Sequence, residues 1–174
     1  NYSVESGLPF VQVSCMYQDT NGYLWSGGHG GLSRFDGKVF LNYNRKNGLP
    51  DHNVNAICAD DAGSIFVGTN KGLCVLRGKK FTSYVSFGDY ERPRITSFCK
   101  GYHHSVYIGT PRGLYMYRGE KIMKVKKLDG FRINYLYNPD SDGDGVIDSG
   151  DPDSDNDGIA DIEEDGGTGF DPSG

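Results

Sequence analysis

The chain has 174 residues and a mass of 19.1 kDa, room for one domain or for one domain with an appendage. Twenty-six glycines, twelve tyrosines and nine phenylalanines point to short strands joined by tight turns and away from a helical bundle. No stretch approaches the roughly 18 apolar residues that a helical bilayer crossing needs, and no basic segment followed by an apolar one opens the chain, so no membrane span is expected. The net charge of -5 hides an uneven distribution. All 18 Lys and Arg lie at or before Arg132, whereas thirteen of the 23 Asp and Glu lie from Asp140 onward. The chain therefore divides near Pro139 into a basic body, residues 1–138, and an acidic tail, residues 139–174. The cations of the body are scattered, with no basic and aromatic stripe, which argues against nucleic acid as a partner. Cys15, Cys58, Cys74 and Cys99 have neither C-x-x-C nor zinc spacing and read as small buried hydrophobes, not as a disulfide framework.

The body repeats every 41 residues. Gly7-Leu8-Pro9 aligns with Gly48-Leu49-Pro50; Gly31-Leu32 with Gly72-Leu73 and Gly113-Leu114; Tyr2 with Tyr43 and Tyr84. Within each copy the apolar pattern has period two. A first strand is predicted at Val13 to Gln18, Val54 to Ala59 and Ile95 to Cys99, with Val54 and Cys58 on one face and Ile57 on the other. It ends in a turn such as Asp19-Thr20-Asn21-Gly22 or Asp60-Asp61-Ala62-Gly63. A second strand follows at Tyr23 to Ser26, Ser64 to Val67 and Val106 to Ile108. After a turn at His29-Gly30, Asn70-Lys71 or Pro111-Arg112, Gly-Leu opens a third strand, and a glycine turn leads to a fourth that ends near Tyr43 or Tyr84. Four antiparallel strands in 41 residues make one blade of a β-propeller. The body holds a little over three such repeats, the fourth stopping within Arg132 to Tyr137. The predicted fold is thus all-β: a partial propeller of about three four-stranded blades in an open arc, with exposed blade faces that favour self-association.

The string from Gly7 to Gly37, with Gly-Leu-Pro, Asp19-x-x-Gly22-x-Leu24-Trp25-x-Gly27 and Gly31-Leu32-x-Arg34-Phe35-Asp36-Gly37, resembles the two-component regulator propeller repeat. The second copy has Phe66 in place of the tryptophan, and the third lacks Gly-Leu-Pro. The resemblance implies a ligand-sensing propeller outside the inner membrane, the input part of a hybrid sensor kinase, often tied to polysaccharides.

Strand alternation puts the loop leading into each blade and the turn between its second and third strands on one rim. A glycan or small-molecule ligand is expected there, with His29, His52, Asn70 and Arg112 as candidate contacts. Trp25 reads as a blade-packing aromatic and not as a sugar platform. His103-His104 falls in a connection and lacks the nucleophile spacing of a hydrolase.

The tail carries ligand spacing as well as charge. Asp153, Asp155, Asp157, Gly158, the Ile159 carbonyl, Asp161 and Glu164 fit the twelve-position calcium loop throughout. Thirteen residues earlier the pattern recurs as Asp140, Asp142, Asp144, Gly145, the Val146 carbonyl, Asp148 and Asp151, with the shorter aspartate at the closing position. Hard oxygen donors at this density suit Ca²⁺, and the apolar content is too small to fold the tail without metal. Back-to-back loops leave no room for an EF-hand helix. Residues 140–165 resemble bacterial thrombospondin type 3 repeats, which implies a calcium-strung secreted or cell-surface linker.

Three functions are compatible with these features. The first is a non-enzymatic secreted or surface binding module whose Ca²⁺-stiffened tail acts as spacer or attachment segment. The second is the periplasmic ligand-sensing input of a two-component receptor. The third is a propeller glycan lyase, in which a rim His and Tyr would transfer protons.

Overall fold

The computed structural model describes residues 12–101 and 105–136. The calcium-loop positions, His103-His104 and Gly7-Leu8-Pro9 all lie outside them. A division of the chain falls between Leu136 and Tyr137, and the fold below belongs to the part before it.

The architecture is all-β. Three four-stranded antiparallel sheets follow one another, each a simple meander. Blade A is β1 (Val13–Gln18), β2 (Leu24–Gly28), β3 (Gly31–Phe35) and β4 (Phe40–Tyr43). Blade B is β5 (Val54–Ala59), β6 (Ile65–Thr69), β7 (Gly72–Arg77) and β8 (Lys80–Tyr84). A two-stranded hairpin of β9 (Ser86–Phe87) and β10 (Tyr90–Glu91) lies in the next connection. Blade C is β11 (Ser97–Gly101), β12 (Ser105–Thr110), β13 (Gly113–Arg118) and β14 (Lys121–Lys124). The first strands lie innermost: β1 and β2 pack on β5, and β11 packs on β5 from the other side.

Turn chemistry fixes the hairpins. Asp19 Oδ1 accepts the N–H groups of Asn21 and Tyr23, and Asp60 Oδ1 accepts those of Ala62 and Ser64, so the same Asx turn closes the first hairpin of blades A and B. Gly72 opens β7 at φ 133°, and a Cβ there would lie 2.6 Å from the Tyr84 carbonyl oxygen, which is why Gly-Leu recurs at this point.

The core alternates across blade B. Ile65 and Val67 of β6 and Cys74 and Leu76 of β7 face blade A, where they meet Trp25, Leu32 and Leu49. Phe66, Leu73 and Val75 face blade C, where they meet Ile95, Val106, Ile108, Tyr115 and Tyr117. Every one of these residues is buried, so period two carries two cores at once. Trp25 is 3% exposed, inside the first core, with its indole Nε1–H donating to Asp19 Oδ2 at 2.8 Å. It packs blades, as expected, and Arg34 lies over its ring and over that of Tyr23.

One expectation is corrected. Val54 and Cys58 do not share a face: Val54 joins Ile57 and Ala59 in the first core, and Cys58 packs against the second. A β-bulge between Val54 and Ala56 inserts Asn55 and shifts the alternation by one residue; β1 has the same irregularity between Val13 and Cys15. The bulge has a purpose in blade B. Asn55 Nδ2 donates to the Ile95 carbonyl at 3.0 Å and to Asn70 Oδ1 at 2.9 Å, tying the inner strand to its successor.

At each joint between blades a β-branched residue crosses a glycine of the preceding blade. Ile95 N–H donates to Thr69 O, and its side chain lies where a Cβ on Gly68 would sit, 2.5 Å from Cγ2. Val54 covers Gly27 in the same way. Ile133 covers Gly109, donates to Thr110 O and accepts from Thr96 Oγ1, repeating the bonds made by Ile95. Residues 131–136 therefore begin a fourth repeat, although they form no strand in the structure. Ile133 follows Ile95 by 38 positions and not 41, because the connection from Val125 is three residues shorter than its two predecessors.

The four cysteines are free. Cys74 is buried and the other three are partly buried. Burial pushes the thiols up, to about 12 at Cys15 and about 11 at Cys74, with Cys58 and Cys99 raised in the same direction. Cys74 and Cys15 pack in the first core and Cys58 against the second.

Candidate ligand-binding rim

The connections between blades differ in conformation although the first two match in length. The connection from blade A to blade B folds a 3₁₀ turn at Arg45–Asn47, capped reciprocally by Asn44 and Asn47: Asn44 Oδ1 accepts the Lys46 N–H, and Asn47 Oδ1 accepts the Asn44 N–H. The connection from blade B to blade C folds the β9–β10 hairpin, whose base is closed by Arg92 N–H donating to Val85 O at 2.7 Å. Arg92 takes φ 48°, the left-handed region that a non-glycine residue enters at a cost.

A cleft of about 150 Å³ opens between them, lined by Arg45, Pro50, Lys71, Val85 and Arg92. It combines the two connections with the turn between β6 and β7, as strand alternation requires for one rim. Its lysine is paired with Asp51, 2% exposed: Lys71 Nζ lies 3.1 Å from Oδ2, the Asn53 N–H donates to Oδ1, and His52 Nδ1 is at 3.9 Å. Burial opposes ionisation of Asp51, but the Asn53 amide, Lys71 and His52 outweigh it and hold the carboxyl below its usual range. Asp51 thus fixes Lys71 at the cleft wall, and its share of stability is lost as pH falls through that lowered value.

The four candidate residues do not gather at this cleft. His52 is exposed beside Asp51, outside the lining. Asn70 belongs to the scaffold, its amide N–H donating to Asn53 O and its side chain accepting from Asn55. Arg112 lies over the Tyr90 ring at 4.7 Å, on the turn of blade C, and His29 is exposed on the turn of blade A. The lining residues Arg45, Lys71 and Arg92 escaped the sequence reading. One signal was available: Lys71 and Arg112 are equivalent in the 41-residue repeat, and the backbone N–H of each donates to the threonine hydroxyl two positions earlier, at 3.1 Å. A cation thus stands at the same turn of blades B and C. Among the described residues no group of three or more His, Cys, Asp or Glu side chains could hold a metal ion.

The model of the family described as two component regulator propeller matches residues 7–30 and 48–71, the same part of two successive repeats. No curated protein matches the chain in sequence. Among solved structures, the extracellular domain of the hybrid two component system BT4673 from B. thetaiotaomicron is similar over 82% of this chain, with 20% identity and a TM-score of 0.67. The corresponding domain of BT3049 from the same organism covers the same share at 20% identity and a TM-score of 0.57. A streptogramin B lyase is similar over 77% of this chain, at 15% identity and a TM-score of 0.58. At these identities the likeness establishes the propeller fold. The chain spans 20%, 18% and 44% of the lengths of those three structures. Among the described residues no helix is long and apolar enough to cross a membrane.

Proposed function

We propose that the chain is part of a ligand-sensing propeller that works outside the cytoplasm as the input of a two-component type of receptor. The observation that carries this reading is the recurrence of the regulator-propeller match at the same place in successive repeats, within a fold shared with extracellular domains of such systems. It favours the receptor input over a free-standing surface module. The part of the chain is recognition without turnover, with the rim built by the inter-blade connections as the contact surface. To test it, the chain is screened by thermal shift against soluble oligosaccharides and other small molecules, and each hit is recovered and weighed by mass spectrometry. A true ligand raises the melting temperature, by the equivalent of about 2.7 kcal/mol at a hundredfold excess over Kd, and comes back intact. A hit returned as an unsaturated, cleaved product would replace this reading with a lyase.

A separate proposal concerns the tail, on the strength of its spacing alone. Asp153, Asp155, Asp157, the Ile159 carbonyl, Asp161 and Glu164 bind Ca²⁺, with Asp140, Asp142, Asp144, the Val146 carbonyl, Asp148 and Asp151 as a weaker first loop. An affinity on the order of 10⁻⁴ to 10⁻³ M suits an extracellular module. Calcium is expected to protect the tail from protease, and Asp157→Ala to remove the protection of the second loop. Identical digestion in calcium and in chelator would refute it.

A further inference from the structure

We propose that the cleft between Arg45, Lys71 and Arg92 takes a small ligand that carries two or more oxyanion groups, such as an acidic oligosaccharide. The inference rests on the sensing role above and names the class of ligand. Three of the five lining residues are cationic and none is acidic. The nearest carboxylate, Asp51, is buried and committed to Lys71 at 3.1 Å. Among the described residues neither Arg45 nor Arg92 has an ion-pair partner, so two guanidinium groups flank the cleft with their charge unspent. Guanidinium offers a planar fork of donors that matches carboxylate or sulfate, and the cleft has two such forks beside the Lys71 ammonium that Asp51 already pairs. Pro50 and Val85 add apolar surface suited to the carbon skeleton of a ring. A metal cation would be repelled, and a neutral ligand would gain nothing from the charge.

The cations also come from three separate segments. Arg45 belongs to the connection that leads into blade B, Lys71 to the turn within blade B, and Arg92 to the connection that leaves it. An anion spanning them joins the two connections that flank one blade, which is the arrangement a sensor needs if occupancy is to change how those connections sit. Arg92 is held in its left-handed conformation by the hairpin base and not by its own preference, so the side chain is aimed by the fold.

The test is calorimetric titration of the 174-residue chain with digalacturonic acid, neutral digalactose and inorganic sulfate, on the parent sequence and on Arg45→Gln and Arg92→Gln. Both substitutions are at exposed positions outside the cores. The expected result is binding of digalacturonate, competed by sulfate and weakened about tenfold or more by either substitution, the range for a charge-assisted hydrogen bond, with unchanged melting temperatures. Raising salt from about 50 to 500 mM should weaken it comparably, since the Debye length falls severalfold. Equal binding of digalactose, affinity unchanged in both variants, or no binding of either anion would overturn the proposal. Digalactose binding that ignores both substitutions would overturn the anionic class and leave the sensing role standing. Conversion of bound digalacturonate to an unsaturated product would overturn the sensing role and leave the anionic class standing.

Discussion

The two junctions between blades share one glycine crossing and differ in their filling. Between blades A and B the core is mostly aliphatic, with Leu32, Leu49, Val54, Ile57, Ile65, Val67 and Leu76 around Trp25. Between blades B and C, Leu73, Val75, Ile95, Val106 and Ile108 share the space with four buried aromatics, Phe66, Phe87, Tyr115 and Tyr117, against the single buried Trp25 of the first junction. Phe66 meets Tyr117 edge-on at 5.0 Å, Phe87 meets Tyr115 at 5.1 Å, and Tyr84 meets Tyr117 at 5.6 Å. Arg77 Nη2 then donates to Tyr117 Oη at 2.8 Å and its Nη1 to Glu120 at 2.6 Å, adding a polar clasp between β7 and the β13–β14 hairpin of blade C. What stays constant is the glycine crossed by a β-branched residue of the next blade. Register is therefore held by the joint, and the filling is free to vary so long as its volume suits the gap.

The comparison can be broken most readily at Phe66, which is fully buried in the second junction. Phe66→Ala should cost about 3 to 5 kcal/mol in urea unfolding, from lost burial and the cavity left behind. A loss under 1 kcal/mol would mean that the second junction is loosely filled. Next comes the joint itself. Gly68→Ala and Gly27→Ala each push a methyl group into the crossing residue and should cost about 1 to 3 kcal/mol. Similar losses at the two sites support a common joint, and a clear inequality would show that the junctions differ in backbone as well as filling.

Alkali sharpens the comparison further. The raised thiols of Cys15 and Cys74 in the first junction bind their protons more tightly folded than unfolded. The native state thus holds more protons above about pH 9, and stability falls as pH rises, by about 1.4 kcal/mol per pH unit for each thiol until its folded value is reached. Cys74→Ala should flatten the fall between pH 9 and its folded value near 11, measured by denaturant unfolding across that range. An unchanged slope would place the titrating groups elsewhere. The smallest effect is expected for Trp25→Phe, which installs the residue found at the equivalent position in blade B. It gives up the bond to Asp19 and some area, about 1 kcal/mol in the same unfolding assay. A loss as large as that of Phe66→Ala would make the tryptophan more than filling.

Much of this fold was legible because glycine and tyrosine mark fixed points of a strict period. The first strands at Val13–Gln18 and Val54–Ala59, and the ends of the fourth at Tyr43 and Tyr84, fall where alternation and turn residues placed them. The second strands extend through Gly28, Thr69 and Thr110, beyond their predicted ends, because Gly-Gly and Gly-Thr look like turn residues while the ladder with the third strand keeps them paired. In the third repeat the first strand starts at Ser97 and not Ile95, since Ile95 spends its N–H on Thr69 of blade B, across the joint. The bulge at Asn55 was invisible, as a one-residue slip leaves no mark on a pattern apolar on both faces. The sequence put the inter-blade connections and the turn between second and third strands on one rim, and the cleft is lined by both, though not by His29, His52, Asn70 or Arg112. Arg45, Lys71 and Arg92 are ordinary surface cations in sequence, and their convergence depends on a 3₁₀ turn and a short hairpin that two connections of equal length happen to adopt.

Because the same crossing recurs at successive joints, the 41-residue unit is an interchangeable part. Excising or duplicating one whole unit, such as residues 54–94, presents each remaining glycine with a β-branched neighbour much like the one it had. Sequences of this kind can therefore grow or shrink by blades through unequal recombination without inventing a new interior, while the connections between blades are free to differ.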